Sequence, residues 1–181
     1  MGSPKICLRC HQKQHGCCLI SESSFHFGLS NFEIEQIALE TEKDPNSFVT
    51  ANKVVKWFYD SLIKINSLYK ELMPAGIQLR LKTKENKNEC VFLARGGCQL
   101  SYSIRPFMCR LYPFMFNDSG NLHVFESSFC LAQKTSKDIT HVLFLMETSR
   151  DILLDVYQEF KKAAYINIES LKKGFSIYEY F

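Results

Sequence analysis

The sequence contains 181 residues, of which 46% are hydrophobic and 23% are charged, so we expect a single globular domain over residues 1–181 with a buried core. The 22 basic and 19 acidic residues are mixed along the chain and leave a net charge of only +3, which argues against nucleic acid and anionic membranes as partners. The N-terminus lacks the apolar core of a secretory signal, and no apolar run is long enough to span a bilayer, which predicts a cytoplasmic protein. These observations leave a protein partner open.

The first clear helix is predicted to begin after Ser30, because Ser30 and Glu33 have the spacing of a capping box. Leu29 and Ile34 occupy the positions of a hydrophobic staple around this start. The Asp-Pro-Asn turn at 44–46 predicts its end. The helix has an apolar stripe and a face of glutamates that we expect to point to water: the stripe is Ile34, Ile37 and Ala38, and the glutamates are Glu33, Glu35, Glu40 and Glu42.

A second, longer helix is predicted over residues 50–72, where apolar residues recur with helical spacing. The period then changes to two, because Ile77, Leu79 and Leu81 alternate with polar residues in the manner of a half-buried strand. Residues 90–93 are predicted to return beside this strand as the second arm of a hairpin.

The glycine pair at 96–97 predicts a tight turn, after which a loop and a short helical turn lead to Cys109. A further hairpin is predicted over residues 111–116 and 122–125, joined by an Asn-Asp-Ser-Gly turn. Residues 138–165 contain no glycine or proline and predict one long helix or two in sequence. The predicted fold class is therefore α+β, with small hairpins that carry a cysteine site and pack with several helices.

The eight cysteines are the most unusual feature of the chain, and in a reducing compartment thiols are more often metal ligands than disulfide partners. Cys7 and Cys10 have the C-x2-C spacing that lets two thiolates of one turn bind a single metal. Adjacent side chains point apart in an extended segment, so we expect Cys17 and Cys18 to serve two different metal atoms, or one ligand role and one structural role. The other four are spaced like ligands that come from separate loops: Cys90, Cys98, Cys109 and Cys130.

The residues around these cysteines complete a pattern that covers residues 7–130. Its parts are Cys7-x2-Cys10, Gly16-Cys17-Cys18, Cys90-Val-Phe-Leu, Gly97-Cys98, Arg105-Pro106, Cys109-Arg110, Tyr112-Pro113-Phe114 and Cys130. This pattern resembles the YkgJ-type cysteine-cluster family, which is described as a zinc- or iron-chelating domain with eight cysteines and includes the flagellin lysine N-methylases. The resemblance implies that all eight cysteines are metal ligands. The chain departs from the family where six residues separate Cys10 from Cys17, since members commonly have two.

The longer loop offers His11 and His15 as substitute ligands, although exposed loop histidines are the more frequent case. Residues 7–11 also match the C-x-x-C-H pattern of c-type haem attachment, but that attachment occurs outside the cytoplasm and gives no role to the cysteine doublet. A disulfide framework is the weaker account, because disulfide-rich domains are usually short and poor in core residues. A radical S-adenosylmethionine enzyme is disfavoured because no C-x3-C-x2-C motif occurs.

Thiolates suit zinc and iron–sulfur clusters alike, so the donor type does not separate the two. Either centre would be anionic and would be stabilised by nearby cations, for which Arg105 and Arg110 beside Cys109 are the candidates. The aromatic residues that follow Cys109 would exclude water, which slightly favours a [4Fe-4S] cluster over zinc.

The sequence is therefore consistent with three functions. The first is a metal-binding protein with one or two cysteine-ligated centres, used in redox chemistry, sensing or metal handling. The second, implied by the resemblance, is a protein-lysine N-methylase-like modifying enzyme, although the sequence has no glycine-rich loop for S-adenosylmethionine and indicates no catalytic residue. The third is a zinc-stabilised domain whose surface binds another protein.

Overall fold

The computed structural model describes residues 4–12, 17–19, 28–85, 87–127 and 130–172. Its elements are helices and small antiparallel hairpins, which confirms the α+β class predicted from the sequence. Among the described residues, no helix combines the length and the apolar character that crossing a bilayer requires. The helices are α1 (Lys5–Gln12), α2 (Asn31–Thr41), α3 (Pro45–Phe48), α4 (Lys56–Ile65), α5 (Tyr69–Leu72), α6 (Phe107–Leu111), α7 (Leu131–Lys134), α8 (Ile139–Leu145) and α9 (Arg150–Lys172), with a 3-10 turn at Pro74–Gly76. The strands are β1 (Val49–Lys53), β2 (Ile77–Leu81), β3 (Leu93–Ala94), β4 (Gly97–Cys98), β5 (Phe114–Phe116) and β6 (Leu122–Val124).

Helix α2 begins as predicted. The backbone N–H of Glu33 donates to Ser30 Oγ (3.3 Å), and the backbone N–H of Ser30 donates to the Glu33 carboxylate (2.7 Å), which completes the capping box. Ile34 and Ile37 are fully buried on the apolar face of the helix. The expectation that Glu33 faces water is wrong, because this residue is only 5% exposed and its other carboxylate oxygen accepts the backbone N–H of Phe107 (2.7 Å).

The helix predicted over residues 50–72 is also wrong. Its start belongs to β1, which pairs antiparallel with β2 so that Val49 lies opposite Leu81. Its later part is divided between α4 and α5 at Asn66, whose side-chain amide donates to the backbone carbonyl of Phe116 (3.0 Å). Tertiary pairing therefore overrides the helical spacing of the apolar residues in this segment.

The strand predicted over residues 77–81 is confirmed as β2, but its partner is β1 and not residues 90–93. Cys90 forms only an isolated bridge with Thr83, and the chain then turns into the short β3–β4 hairpin. The tight turn predicted at 96–97 is confirmed, since it joins these two strands.

The remaining predictions for the C-terminal half are confirmed in outline. The second predicted hairpin is formed by β5 and β6, with Phe114 opposite Val124, but its first strand is shorter than predicted because Leu111 belongs to α6. The predicted C-terminal helical segment consists of two helices, α8 and α9, and α8 is capped by Asp138, which accepts the backbone N–H of His141 (2.8 Å). Helix α9 packs against α2, α5 and α6.

Two hydrophobic clusters fill the interior of the described structure. The large core lies among α4, α5, α6, β5 and α9, and its fully buried members include Phe58, Leu62, Phe114, Phe116 and Phe160. The small core lies between α2 and the β1–β2 pair, and its buried members include Ile34, Ile37, Phe48, Val49 and Leu79. The candidate site lies where these two cores meet.

Candidate metal centre

One cavity of about 500 Å³ is lined by all eight cysteines. Its other walls are mainly apolar and come from both cores: Leu81 and Leu93 belong to the small core, and Phe114 and Leu153 to the large one. None of the eight cysteines, all of which lie in the described part of the chain, forms a disulfide. The fold therefore brings together thiols that are separated in sequence by as many as 123 positions, from Cys7 to Cys130.

Helix α1 positions the first two cysteines, because Cys7 and Cys10 lie one turn apart on the same side of the helix. The helix packs against α7, which begins directly after Cys130. The thiol of Cys7 also contacts the thioether of Met146 at a distance of 3.8 Å between the sulfur atoms. One end of the cavity is thus built from α1, the start of α7 and the end of α8.

Main-chain hydrogen bonds position three further cysteines. The backbone N–H of Cys90 donates to the carbonyl of Cys18 (2.8 Å), which ties the cysteine doublet to the start of the hairpin region. The backbone N–H of Leu93 then donates to the carbonyl of Cys90 (2.9 Å), and Leu93 pairs with Cys98 across the β3–β4 hairpin. Cys18, Cys90 and Cys98 are therefore held in place by the backbone itself.

Cys109 lies on α6, a short helix that follows Pro106. The N-terminal end of α6 is held by Glu33, which accepts the N–H of Phe107 there and so links α6 to α2. Both Cys109 and Cys17 have exposed surface, yet the pKa of both thiols is raised, by burial at Cys109 and by the hydrogen bond with Cys18 together with burial at Cys17. These two facts agree because both residues line the cavity, so the surface they expose is largely cavity wall.

Burial is the main cause of the raised pKa values of most of the thiols. Burial and the neighbouring thiols of Cys130 and Cys10 raise the pKa of Cys7 to about 12. Burial likewise raises the pKa of Cys90 to about 12. Cys18 behaves differently, because a hydrogen bond from the Cys17 thiol and the charge of Arg105 lower its pKa against the opposing effect of burial. Without bound metal the cavity thus favours protonated thiols at most positions, and a cation would have to displace those protons.

The two arginines predicted to stabilise a metal centre both line the cavity but differ in their partners. Arg105 forms a hydrogen bond with the thiol of Cys98, and its charge lowers the pKa values of Cys98 and Cys18. Arg110 instead forms an ion pair with Glu159 (2.7 Å), and its guanidinium carbon lies 4.8 Å from the centroid of the Phe107 ring. Of these two arginines, Arg105 is therefore the one that acts on cysteine thiols in the described part of the chain.

Two buried polar atoms of cavity-lining residues lack a hydrogen-bond partner among the described residues. They are Nε of Arg110 and Oγ1 of Thr148. A buried polar group without a partner normally costs free energy, so such groups are concentrated where a protein binds something. Sequence reasoning missed Thr148 and Met146, for which no motif gave a signal, and it assigned Glu33 to the wrong environment although the capping box marked that residue.

The thiols surround the cavity but are not yet assembled as ligands. In the described parts of the chain, no group of three or more His, Cys, Asp or Glu side chains has an arrangement that could hold a metal ion directly. Of the two candidate histidines, His11 belongs to α1 but its side chain is outside the described structure, and His15 lies outside the described residues. The donor chemistry therefore fits a metal centre, whereas ligation would require the side chains to move toward a shared point.

No family model, curated protein or solved structure matches this chain. The resemblance to the YkgJ-type cysteine-cluster family rests on the order and spacing of the residues quoted above.

Proposed function

We propose that this chain is a metal-binding protein whose cysteines hold one or two thiolate-ligated centres, with a [4Fe-4S] cluster favoured over zinc, and that it acts in redox chemistry, sensing or metal handling. One observation carries the proposal: every cysteine of the chain lines the same cavity. Cysteines that served only as small core residues would not be expected to converge on one shared cavity. A cytoplasmic location would keep these thiols reduced and available to metal.

The size and lining of the cavity support a cluster over a single ion. A volume of about 500 Å³ exceeds what one ion with ligand bonds of about 2.3 Å needs, whereas it accommodates an iron–sulfur cluster or two separate centres. The aromatic side chains of Tyr112 and Phe114 line the cavity and would keep water from a cluster. Arg105 would offset the negative charge of the thiolates.

A bound cluster would supply one-electron redox chemistry, and zinc would supply structural cross-linking without redox activity. In either case this chain's own residues would have definite tasks. The thiols would release protons on binding, α1 and the hairpin would bring ligands from two sides, and Glu33 would hold α6 in place behind Cys109.

Metal analysis combined with absorption spectroscopy of anaerobically purified protein tests the proposal. Iron with an equal amount of acid-labile sulfide and a broad visible band is the expected result. Zinc in a colourless sample would retain the metal site but would favour the zinc-stabilised interaction domain. Protein that contains neither metal and takes up neither Fe(II) with sulfide nor Zn(II) would overturn the proposal. Binding of S-adenosylmethionine in calorimetry would instead favour the methylase-like alternative.

Replacement of a central ligand gives the corresponding genetic test. We expect Cys109→Ala to lower the metal content and the melting temperature, because the site loses a thiolate on α6, a helix that packs in the large core and is hydrogen-bonded to α2 through Glu33. Ser103→Ala, an exposed position in the preceding loop, is the matched control and should leave both quantities unchanged. Full metal content and an unchanged melting temperature in Cys109→Ala would contradict the ligand assignment.

A further inference from the structure

The cavity between the two cores has the size and the lining of a small-molecule pocket. Its volume of about 500 Å³ lies within the range of roughly 300–1,000 Å³ that such pockets occupy. Most of its wall is apolar, and two arginine side chains, Arg105 and Arg110, also line it. We propose that the cavity binds a small organic carboxylate with an apolar body, such as a medium-chain monocarboxylic acid, and that Arg110 binds the carboxylate. This inference goes beyond the proposed function, because it requires neither a bound metal nor a thiolate.

The apolar part of the wall comes from both cores and would cover the body of such a ligand. The small core contributes Leu81, Leu93 and Leu100, all of which are buried. The large core contributes Phe114 and Leu153, which are 2% and 1% exposed. An apolar chain among these side chains would be removed from water, and this transfer supplies the main attraction. The apolar wall therefore accounts for affinity, but it does not select the charge of the ligand.

Arg110 provides the positive charge that would select an acid. Its side chain is only 6% exposed, so the guanidinium is surrounded by protein. Two contacts fix its position: Nη2 donates to the Glu159 carboxylate (2.7 Å), and the guanidinium carbon lies 4.8 Å from the centroid of the Phe107 ring. A guanidinium has five N–H donors, and the buried Nε of Arg110 has no hydrogen-bond partner among the described residues. A carboxylate matches this fixed donor group, because it accepts hydrogen bonds from a guanidinium with favourable charge and geometry.

The charged residues around the cavity favour an anion over a cation. Lys5, Arg105 and Arg110 all line it. Among the described residues that line it, Glu147 is the only acidic one. Its carboxylate accepts the backbone N–H of Lys5 (3.3 Å), and both residues are exposed, so this acid lies at the solvent-exposed edge. The ion pair with Glu159 offsets the charge of Arg110 but uses only one of its nitrogens.

Arg105 is less suited to the ligand because the protein already uses its donors. Its Nε donates to the backbone carbonyl of Leu100 (3.1 Å), and its guanidinium forms a hydrogen bond with the thiol of Cys98. Thr148 adds a second buried polar atom, Oγ1, that has no partner among the described residues. A hydroxyl donates or accepts with equal ease, so Thr148 would bind a polar group of the ligand without selecting its charge. The choice of an acid therefore depends on Arg110.

Calorimetry with three probes of equal chain length tests this inference: octanoate, 1-octanol and octylammonium. The full-length protein is measured as purified and again after chelation. We expect octanoate to bind about tenfold more tightly than 1-octanol, which lacks the charge-assisted hydrogen bond, and octylammonium to bind most weakly. Equal affinities for octanoate and 1-octanol, or no binding of octanoate by either preparation, would overturn the inference. Metal content and metal uptake are measured separately and decide the proposed function independently of this result.

Arg110→Met removes the guanidinium but keeps an apolar side chain of similar length. We expect the preference for octanoate over 1-octanol to disappear in this variant, whereas binding of 1-octanol should remain. Glu159→Gln controls for loss of the ion pair, and Arg95→Met, at an exposed position in the turn between β3 and β4, controls for the change in net charge. Both controls should keep the preference. A preference that survives in Arg110→Met, or that Glu159→Gln also removes, would overturn the role of Arg110.

The cysteines report whether the ligand lies inside the cavity, and this measurement on wild-type protein covers the case in which Arg110→Met does not fold. Cys17 and Cys109 have exposed surface and line the cavity, so bound octanoate should slow their reaction with N-ethylmaleimide in the chelated protein. Peptide mass spectrometry measures the labelled fraction of each residue over time. Unchanged labelling at saturating octanoate would place the acid outside the cavity and would overturn the inference.

Discussion

The large core and the cysteine cavity adjoin each other, yet they are stabilised in different ways. In the large core the Phe116 ring stacks on Tyr157 with centroids 4.7 Å apart, and the buried side chain of Asn66 donates to the Tyr157 hydroxyl (2.6 Å). The cavity is instead lined by thiols whose pKa values burial raises, and by the unpartnered polar atoms of Arg110 and Thr148. The polar groups of the large core thus find partners within the protein, whereas the cavity has polar atoms that a ligand or water could satisfy. The two regions should therefore respond differently to metal and to mutation.

Metal removal should produce the largest difference between the two regions. Structural zinc contributes on the order of 10 kcal/mol to the folding of small metal-dependent domains. Chelation should therefore destabilise the structural elements that the metal connects. We expect hydrogen exchange to accelerate in α1 and the β3–β4 hairpin, while the large-core face of α9 keeps most of its protection. Hydrogen-exchange mass spectrometry before and after chelation measures this. Equal acceleration in α9 would show that the two regions are one cooperative unit.

Truncation of a side chain in the large core should instead lower the stability of the protein without changing its metal content. Phe160 is 1% exposed, and its ring contacts those of Tyr69, Phe107 and Tyr157. Phe160→Ala should therefore lower the free energy of unfolding by about 3–5 kcal/mol, as measured by denaturant titration. The metal content of the folded fraction should be unchanged, and Gln158→Ala on the exposed face of α9 is the control. Loss of metal from folded Phe160→Ala protein would show that the metal site depends on packing in the large core.

Local patterns predicted the parts of the fold that local interactions stabilise. The capping box of α2, the alternation in β2 and the turn between β5 and β6 depend on residues close in sequence, and all three were predicted. The β1–β2 pairing was not, because Val49 and Leu81 are 32 positions apart and nothing in the sequence links them. The cysteines could be selected by type and spacing, but their convergence on one cavity depends on packing between distant elements.

Glu33 connects the two regions, and its removal should have a moderate effect. Its carboxylate accepts the N–H groups of Ser30 and Phe107 and the hydroxyl of Ser30, so Glu33→Ala would remove the acceptor of three buried donors. We expect a loss of about 1–3 kcal/mol in the free energy of unfolding, together with weaker metal retention because α6 carries Cys109. Glu35→Ala, at an exposed position of the same helix, is the control. Unchanged metal retention would show that Cys109 does not depend on this link.

The contribution of Glu33 to the stability of the fold should change with pH in a definite direction. Burial raises the pKa of Glu33 above its ordinary value of 4.5, so the folded protein binds this proton more tightly than the unfolded chain does. The resulting stabilisation is fully present below the unfolded-state pKa and is lost as the pH rises through the higher folded-state pKa. The stability difference between wild type and Glu33→Gln should therefore shift against the wild type as the pH rises. A difference independent of pH would show that Glu33 titrates normally.

The ion pair of Arg110 should contribute least. The Arg110 side chain is only 6% exposed, but Glu159 is 54% exposed and the amide oxygen of a glutamine could still accept from Arg110, so Glu159→Gln should change the free energy of unfolding by no more than about 1 kcal/mol. Asp155→Asn, an exposed carboxylate one turn earlier in α9, controls for the change in net charge. Because Arg110 packs on Phe107 while Arg105 contacts Cys98, Glu159→Gln should leave metal content unaltered, whereas Arg105→Gln should lower it. A fall in metal content with Glu159→Gln would show that Arg110, which lines the cavity, also stabilises the bound metal.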